Sequence, residues 1–493
     1  MLPTLLATSI LIVNAVVIDG TGAPRRPAAV RVRGDRIAEV GALSPAAGET
    51  VVDAKGLVLA PGFIDTHSHG DRGLFEHADA LAAVSQGIST IVVGQDGGSP
   101  WPLADFFARL DREPVAINVA AYAGHGLLRG KVMGEDFRRH ARPDEVARMR
   151  DLLAQEMKAG ALGLSSGLEY DPGIFSARSE VLDLARVAAA AGGRYISHVR
   201  SEDRTFWDAI DEIITIGREA KLPVQVSHVK LAMHSLWGQA DRLLRVLNEA
   251  RAAGVDITAD IYPYLYWQST LTVLFPERDF ENRQTAEFVL REISTPDDLL
   301  LGRFAPEPSY AGKTLAEIAR LRGTDPPATL MALIKEALAY AASHRNDDDV
   351  ESVIGTSMSE PDLERLLAWP YTNICTDGEL AGRHPRGFGT YPRVLGGYVR
   401  ERKVVSLEEA VRKMTSLAAH NVGLRDRGTL RSGAFADLVL FDPATVIDRA
   451  TTRDPQALSA GIERLWVNGA VVYEVGAASG RRPGRALRRE VAR

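Results

Sequence analysis

Two histidines, His67 and His69, stand two residues apart at the end of the apolar run at residues 56–65. In a β-strand, the side chains at positions i and i+2 lie on the same face. Both imidazoles can therefore bind one metal ion, and imidazole is a common ligand of zinc and similar divalent metals. Two histidines with this spacing can also be ordinary hydrogen-bonded side chains at a strand end. The rest of the sequence decides whether the pair is a metal-binding site.

Further polar residues close apolar runs later in the chain. His198, His228 and Asp377 each end such a run, and positions 198 and 228 differ by 30 residues. Thirty residues is about the length of one strand–helix–strand unit. If the strands are parallel and surround a barrel, their carboxyl ends meet at the rim where barrel enzymes carry their catalytic residues. The pattern predicts a metal centre built from four histidines and one aspartate.

Composition excludes several classes of function. The net charge of −6 gives no reason to expect a nucleic-acid or membrane partner, and no apolar run reaches the ~20 residues of a membrane span. The single cysteine, Cys375, excludes an internal disulfide framework and favours a reducing, cytoplasmic location. The apolar start at residues 1–13 lacks basic residues and predicts a sheet strand, with a secretory signal as the alternative.

Longer motifs identify a family resemblance that covers nearly all of the chain. The chain resembles the amidohydrolase superfamily and, within it, the D-aminoacylase (N-acyl-D-amino-acid deacylase) group. The motifs are Gly-Phe-Ile-Asp-Thr-His-Ser-His at 62–69, Gly-Ala-Leu-Gly-Leu-Ser-Ser-Gly-Leu at 160–168, Ser-His-Val-Lys at 227–230, Tyr-Pro-Tyr at 262–264 and His-Pro-Arg-Gly-Phe-Gly-Thr-Tyr-Pro-Arg at 384–393. Gly-Ala-Phe-Ala-Asp-Leu-Val-Leu-Phe-Asp at 433–442 is typical of the superfamily at large.

The expected fold is α/β, a (β/α)8 TIM-like barrel with a small β-sandwich. Apolar strands alternate with Ala- and Leu-rich helical stretches over residues 57–415, which is the pattern of a parallel barrel. The resemblance implies that residues 1–56 and 416–475 join into the sandwich. Residues 276–350 break the rhythm and predict a lid or helical insertion. The Arg- and Gly-rich tail at 476–493 is expected to be solvated and mobile.

The resemblance implies hydrolysis of the amide bond of an N-acyl-D-amino acid or a similar linear amide. It implies one or two divalent metal ions per subunit, most commonly Zn²⁺, bound by His67, His69, His198, His228 and Asp377. A divalent ion lowers the pKa of bound water from ~15.7 to about 7. Asp377 is expected to take the proton from the attacking water and deliver it to the leaving amine. The expected partner is a small molecule, and the oligomeric state stays open.

The anionic metal ligand departs from the group's pattern. The D-aminoacylases place a cysteine at the end of the second strand, where this chain has Asp96. One interpretation is that Asp96 itself binds the metal as a harder oxygen donor. The other is that Glu169, after the fourth strand, supplies the bridging carboxylate, as in some superfamily branches.

Three residues are candidates for binding the substrate's carboxylate, which calls for Lys or Arg. Lys230 and Tyr262 match a lysine and a tyrosine that relatives use for this group, and Arg383 can add charge, as can Arg386. Beyond Tyr264, relatives continue with small residues, whereas residues 265–270 read Leu-Tyr-Trp-Gln-Ser-Thr. If these aromatic residues face the pocket, they change which side chain or acyl group fits.

Two other functions compete with this one. The first is a dipeptidase or a cyclic-amide hydrolase of the hydantoin or dihydropyrimidine kind, although the chain lacks the fourth-strand lysine of carbamate-dependent cyclic amidases. The second is a non-catalytic scaffold, although scaffolds of this superfamily typically lose metal ligands that this chain keeps.

Overall fold

A computed structural model describes residues 9–344 and 349–489. Ser9–Val17 forms the expected strand. The alternative of a secretory signal falls mainly on residues 1–8, which lie outside the described residues. Among the described residues, no helix combines the length and the apolar character that crossing a membrane requires.

The strands are numbered in chain order. The N-terminal strands are β1 (Ser9–Val17), β2 (Arg26–Arg33), β3 (Arg36–Gly41), β4 (Thr50–Asp53) and β5 (Val58–Pro61). Next come β6 (Phe63–Asp65), β7 (Ile88–Val93), β8 (Asn118–Ala121), β9 (Ala123–Gly124), β10 (Gly163–Gly167), β11 (Arg194–His198), β12 (Val224–Val226) and β13 (Ile257–Ile261). The remaining strands are β14 (Tyr266–Ser269), β15 (Leu299–Phe304), β16 (Glu351–Thr356), β17 (Thr372–Ile374), β18 (Leu438–Phe441), β19 (Ile462–Val467), β20 (Ala470–Glu474) and β21 (Ala477–Ala478).

The helices separate most of the central strands. They are α1 (Leu81–Val84), α2 (Leu103–Arg112), α3 (His125–Met133), α4 (Pro143–Ala159), α5 (Arg178–Ala190), α6 (Phe206–Ala220) and α7 (Ala240–Ala252). Later helices are α8 (Arg283–Glu292), α9 (Leu315–Arg322), α10 (Pro326–Ser343), α11 (Glu360–Ala368), α12 (Arg386–Arg393), α13 (Leu407–Met414) and α14 (Ser416–Val422). A π-helix at Val394–Glu401 continues α12.

Two parallel sheets form the centre of the molecule. Their strand orders are β6-β7-β8 and β9-β10-β11-β12-β13-β17. The strands are buried because helices cover them, as the fully buried and mostly apolar β7 illustrates. The amide of Asp377, just after β17, donates to the carbonyl of His67, just after β6, at 2.8 Å. The predicted α/β class with parallel strands is confirmed.

The two ends of the chain meet in one nine-stranded sheet. Its order is β21-β20-β19-β18-β5-β1-β2-β3, with β4 beside β1. Strand β5 pairs with both β1 and β18, so the apolar run at 56–65 supplies β5 to this sheet and β6 to the parallel one. The chain changes sheets at Gly62, where a Cβ atom would lie 2.5 Å from Ser89 Oγ.

The insertion has a sheet and a hydrophobic core of its own. Strands β14, β16 and β15 pair antiparallel, and α8, α9 and α10 pack beside them. Buried side chains such as Leu301, Leu330 and Val353 belong to this core. Because β14 and β16 belong to the same sheet, the unit extends on both sides of the predicted range 276–350. The helices expected inside that range are present.

The expectation of a solvated, mobile tail is wrong for residues 484–489. The amides of Gly484 and Leu487 donate to the carbonyls of Val115 and Val119 at 2.9 and 2.8 Å. These bonds hold the tail against β8 and the segment that leads into it. The prediction rested on the arginines of the tail. The tail is held by backbone hydrogen bonds, which amino-acid composition does not predict.

Replacing Gly484 by alanine is expected to destabilise the protein, because the new Cβ would lie 1.9 Å from the carbonyl oxygen of Ile117. Overpacking of this kind typically costs about 1–3 kcal/mol. The urea midpoint of Gly484→Ala is expected to fall below that of wild type. Gly130→Ala is the control, because a Cβ at residue 130 meets nothing within 4 Å. Equal midpoints for both variants would contradict the observed packing of the tail.

The insertion contains a buried carboxyl whose protonation affects stability. Burial raises the pKa of Glu351 to about 8 from an ordinary value of 4.5. Its Oε1 accepts from the Leu271 amide at 2.8 Å, whereas Oε2 lacks a hydrogen-bond partner among the described residues. The folded state therefore binds more protons than the unfolded state between pH 4.5 and 8, so this group's contribution to stability falls as pH rises through that window.

Replacing Glu351 by glutamine is expected to remove this pH dependence, since the amide oxygen can still accept from Leu271. The measurement is the urea midpoint of both proteins at pH 6 and pH 8.5. The drop on going to the higher pH is expected to be smaller in Glu351→Gln. An identical drop in the two proteins would show that Glu351 is not responsible.

Candidate metal centre

The candidate site lies at the carboxyl ends of the parallel strands. Its predicted metal-binding residues are placed as follows: His67 and His69 after β6, Asp96 after β7, Glu169 after β10, His198 at the end of β11, His228 after β12 and Asp377 after β17. Three of them, Asp96, His228 and Asp377, have positive φ angles of 53°, 34° and 49°. A left-handed backbone is uncommon outside glycine and is found at functional sites that the surrounding structure holds in place.

The first group of donors surrounds Asp96 and Asp377. Asp96 Oδ2 lies 3.3 Å from His67 Nε2 and 3.1 Å from His69 Nε2. Asp377 Oδ1 lies 3.4 and 3.2 Å from the same two nitrogens. His228 Nε2 lies 3.6 Å from Asp96 Oδ1. One atom from each of His67, Asp96, His228 and Asp377 falls within 4.8 Å of the others, which suits a single metal ion.

A second group of donors shares His228. Its members with mutually close atoms are His198, Glu202 and His228. His198 Nδ1 lies 3.1 Å from His228 Nε2, and His198 Nε2 lies 2.9 Å from Glu169 Oε2. Because His228 belongs to both groups, the two candidate metal positions adjoin each other.

Charge pairing opposes the effect of burial in these groups. Burial favours a neutral Asp96, but the charge of His67 and hydrogen bonds hold the pKa of this carboxyl well below its usual range. Burial acts likewise on Asp377, but the charge of Arg386 lowers its pKa. Burial lowers the pKa of His69, yet hydrogen bonds to Asp377 and Asp96 raise it to about 9. Protons on imidazoles therefore balance the carboxylates, and a metal cation can replace those protons.

The donor set fits a divalent ion. Imidazole nitrogens and carboxylate oxygens together are ligands of zinc and neighbouring divalent metals. In addition, Asp96 Oδ1 is buried and has no hydrogen-bond partner among the described residues. His67, Asp96, His228 and Asp377 are the residues that can hold the ion.

A cavity opens beside these donors. It encloses about 570 Å³, including the part that is open to solvent, and Lys230, Tyr262 and Arg386 line it. Lys230 Nζ donates to Glu202 Oε1 at 2.5 Å, and Arg386 Nη1 lies 2.6 Å from Asp377 Oδ2. The hydroxyl of Tyr262 is buried and has no hydrogen-bond partner among the described residues. This wall combines two cations with a free hydroxyl, which suits a carboxylate.

Arg383 does not belong to this wall, so the expectation placed on it is corrected. Its side chain is exposed and it does not line the cavity. Arg386, three residues later, opens α12 and is buried against Asp377. Arg386 lies in the motif at 384–393 and Arg383 directly precedes that motif, and only the start of α12 decides which of them faces the site.

Comparison with known proteins agrees with this geometry. The sequence profile of the amidohydrolase family matches residues 50–294 and 312–473. The chain belongs to the amidohydrolase family. It is 39% identical over 498 residues to an N-acyl-D-glutamate deacylase of Alcaligenes xylosoxydans xylosoxydans, covering 96% of this chain and 95% of that protein. It is 37% identical over 508 residues to a D-aminoacylase of the same organism, covering 98% of both.

A solved structure is similar over almost the whole chain. It is the N-acyl-D-glutamate deacylase from Bordetella bronchiseptica, complexed with zinc and a phosphonate inhibitor that mimics the tetrahedral intermediate of the reaction. The TM-score is 0.86 at 36% identity, with 98% of this chain and 99% of that chain covered. The predicted resemblance to the D-aminoacylase group of amidohydrolases is confirmed.

Within this amidohydrolase site, the two candidate bridging carboxylates lie differently. Asp96 contacts His67 and His69 and also approaches His228, which belongs to both donor groups. Glu169 contacts His198 and accepts a hydrogen bond from the amide of Glu202 at 2.6 Å. Asp96 therefore reaches the histidine that the two groups share, whereas Glu169 contacts the second group alone.

Sequence reasoning missed two carboxylates of the site. Glu202 lies four residues after His198, in the loop that follows β11, and its nearness to a strand-end histidine was the available signal. Asp260 lies inside buried strand β13, where a charged residue is unusual. It accepts from the amide of His228 and from Gln225 Nε2, both at 2.5 Å. Asp260 thereby fixes the turn that carries His228.

Replacing Asp96 by alanine is expected to weaken Zn²⁺ binding by more than about tenfold, because the carboxylate that contacts His67 and His69 and approaches His228 is lost. Glu169→Ala is the matched comparison and is expected to have a smaller effect, since Glu169 contacts only His198 among the histidines. Asp96→Cys is expected to retain Zn²⁺, because thiolate is a strong zinc ligand. The measurement is titration of metal-free protein with Zn²⁺. A larger loss in Glu169→Ala would assign the bridging role to Glu169.

Proposed function

We propose that the protein is a metal-dependent amidohydrolase that cleaves the amide bond of N-acyl-D-amino acids. The observation that carries this proposal is the position of Asp377, whose Oδ1 lies 3.4 and 3.2 Å from the Nε2 atoms of His67 and His69 while Oδ2 pairs with Arg386. This places a carboxylate between the candidate metal centre and the cavity. Whole-chain similarity to deacylases of N-acyl-D-amino acids supports the choice of substrate.

The proposal assigns the metal site to one or two Zn²⁺ ions. The ligands are His67, His69, Asp96, His198, His228 and Asp377, with Glu169 and Glu202 beside His198. A bound divalent ion supplies Lewis-acid polarisation of the amide carbonyl and makes hydroxide available near neutral pH. The zinc in the similar solved deacylase supports this metal.

Asp377 moves the proton in this reaction. Its carboxylate accepts the proton of the attacking water and then delivers it to the nitrogen of the leaving amine. Arg386, 2.6 Å from Oδ2, keeps this carboxylate ionised, because its charge lowers the pKa of Asp377. Lys230 and the hydroxyl of Tyr262 orient the substrate by binding its carboxylate.

The proposal also covers architecture and location. We infer that the two parallel sheets close into an eight-stranded (β/α)8 barrel, in which β8 and β9, separated by one residue, count as one strand. We also infer that the terminal sheet folds as a β-sandwich beside it. The hydrogen bond between the residues that follow β6 and β17 supports closure. In this proposal the β-sandwich comprises residues 1–56 and 416–475, and the barrel comprises residues 57–415 with the insertion inside that range. A cytoplasmic location and a small-molecule partner complete it.

Replacing Asp377 by asparagine is expected to lower kcat by about 10²–10⁴-fold on N-acetyl-D-amino acids, since the group that carries the proton is lost. Asp144→Asn is the control, because Asp144 is an exposed aspartate at the start of α4. Release of free amino acid is measured for a panel of N-acetyl-D- and N-acetyl-L-amino acids with zinc-loaded protein.

Each outcome of this panel has a distinct meaning. Selective release from the D-enantiomers, lost in Asp377→Asn, supports the proposal. Equal turnover of both enantiomers would contradict its stereochemical part. Turnover of dipeptides, hydantoins or dihydropyrimidines without turnover of N-acetyl-amino acids would assign the site to another hydrolase of this fold.

A further inference from the structure

The lining of the cavity divides into a charged half and an apolar half. The charged half comes from the loops that follow the parallel strands. The apolar half comes from the insertion and includes Trp267, Val273, Leu274 and Ile293. Gln268 and Ser269 add neutral polar atoms to it. The insertion therefore contributes no charged side chain to the described lining of the cavity.

The cations of the lining lie together on the other side. Apart from imidazoles, the cationic residues in the described lining are Lys230 and Arg386. Both lie near the ring of Tyr262, with Lys230 Nζ at 5.9 Å and Arg386 Cζ at 4.9 Å from its centroid. Each already has a carboxylate partner, Glu202 or Asp377. This cluster suits one substrate carboxylate.

Two nearby arginines are held away from the cavity. Arg278 donates to Asp171 Oδ1 at 2.9 Å and to the Glu169 carbonyl at 2.7 Å. Arg204 pairs with Glu277 at 3.0 Å. Neither arginine lines the cavity, whereas the carboxylates of Glu202 and Asp203 do. A second anionic group on the substrate would thus meet carboxylates and apolar surface, which strongly disfavours a charge.

The apolar wall is held rigidly at Trp267. Its indole Nε1 donates to Ser357 Oγ at 2.6 Å. The ring packs over Gly355, its cross-strand partner, where a Cβ atom would lie 2.4 Å from Trp267 Cζ2. The hydrogen bond to Ser357 and the packing on Gly355 therefore fix the orientation of the indole ring, which lines the cavity.

We propose that this wall makes the site selective for N-acyl-D-amino acids with uncharged side chains. One carboxylate of the substrate binds at Lys230, Arg386 and Tyr262, and the remaining groups pack against Trp267, Val273 and Leu274. Derivatives of D-glutamate and D-aspartate are rejected, although an N-acyl-D-glutamate deacylase is among the most similar relatives. This inference rests on the proposed deacylase function and adds the class of side chain.

The decisive comparison is between N-acetyl-D-glutamine and N-acetyl-D-glutamate, which have nearly the same shape and differ in charge. With wild-type, zinc-loaded protein, kcat/KM is expected to be at least about 100-fold higher for the glutamine derivative. N-acetyl-D-leucine is expected to be hydrolysed at least as well as the glutamine derivative. An equal or higher kcat/KM for N-acetyl-D-glutamate would overturn the inference and leave the deacylase function standing.

A variant tests the wall itself. Val273 is half-buried in the lining, so Val273→Arg places a cation on the apolar side with little disturbance of the core. It is expected to raise the glutamate-to-glutamine ratio of kcat/KM by at least about tenfold. Val51→Arg, on strand β4 of the terminal sheet and 47% exposed, is the matched control and is expected to leave the ratio unchanged. An unchanged ratio in Val273→Arg would contradict the role assigned to the wall.

Binding separates this inference from the proposed function. Calorimetry with Asp377→Asn measures the affinity for both derivatives while turnover is slowed, and tighter binding of N-acetyl-D-glutamine is expected. If wild type hydrolyses neither derivative nor N-acetyl-D-leucine, the deacylase proposal fails, while the binding preference still decides the selectivity. Equal or tighter binding of N-acetyl-D-glutamate would refute the selectivity even then.

Discussion

A buried cluster of opposite charges is the constraint on which the rest of the site depends. Asp96 and Asp377 are held within 3.4 Å of the Nε2 atoms of His67 and His69, away from bulk water. Buried charges persist only when partners or a metal compensate them. Every strand that contributes a donor must therefore end at the same depth and on the same side. Parallel strands meet this requirement because their carboxyl ends lie at one edge.

The backbone around the donors shows how this requirement is met. Three donor residues have left-handed φ angles. At one of them, His228, the backbone amide donates a hydrogen bond to Asp260, which holds the turn in place. The amide of Asp377 is tied to the carbonyl of His67, so the first and last central strands share a hydrogen bond at the site. Neighbouring structure thus holds conformations that isolated residues rarely adopt.

The terminal sheet and the insertion contribute to the site in different ways. Strand β5 pairs with β1 and β18 and continues through Gly62 into β6, so the terminal sheet anchors the strand that leads to His67. The insertion lines part of the cavity with Trp267 and its neighbours. The strand ends thus supply reactive groups, while the insertion, with a core of its own, shapes what can reach them.

Much of the site was readable from the sequence because its signals are local. A histidine pair at a strand end, two more strand-end histidines 30 residues apart and Asp377 after an apolar strand each identify a donor without knowledge of the fold. Lys230 was found in the same way, since it stands two residues beyond His228. The motifs also indicated the family. The parallel α/β class was predicted because strands that alternate with helices produce a regular alternation of apolar runs and helical stretches along the sequence.

Other features depend on distance in space, and only the tertiary structure decided them. Glu202 joins the metal donors through the course of a loop, and Arg386 replaces Arg383 at the site because α12 begins there. Which histidines each candidate carboxylate contacts was undecided in the sequence, since Asp96 and Glu169 both follow central strands. The tail's contact with the segment before β8 and the position of Trp267 over Gly355 join residues far apart in the chain. A sequence records which groups are available at each strand end, but packing among distant segments determines which of them meet.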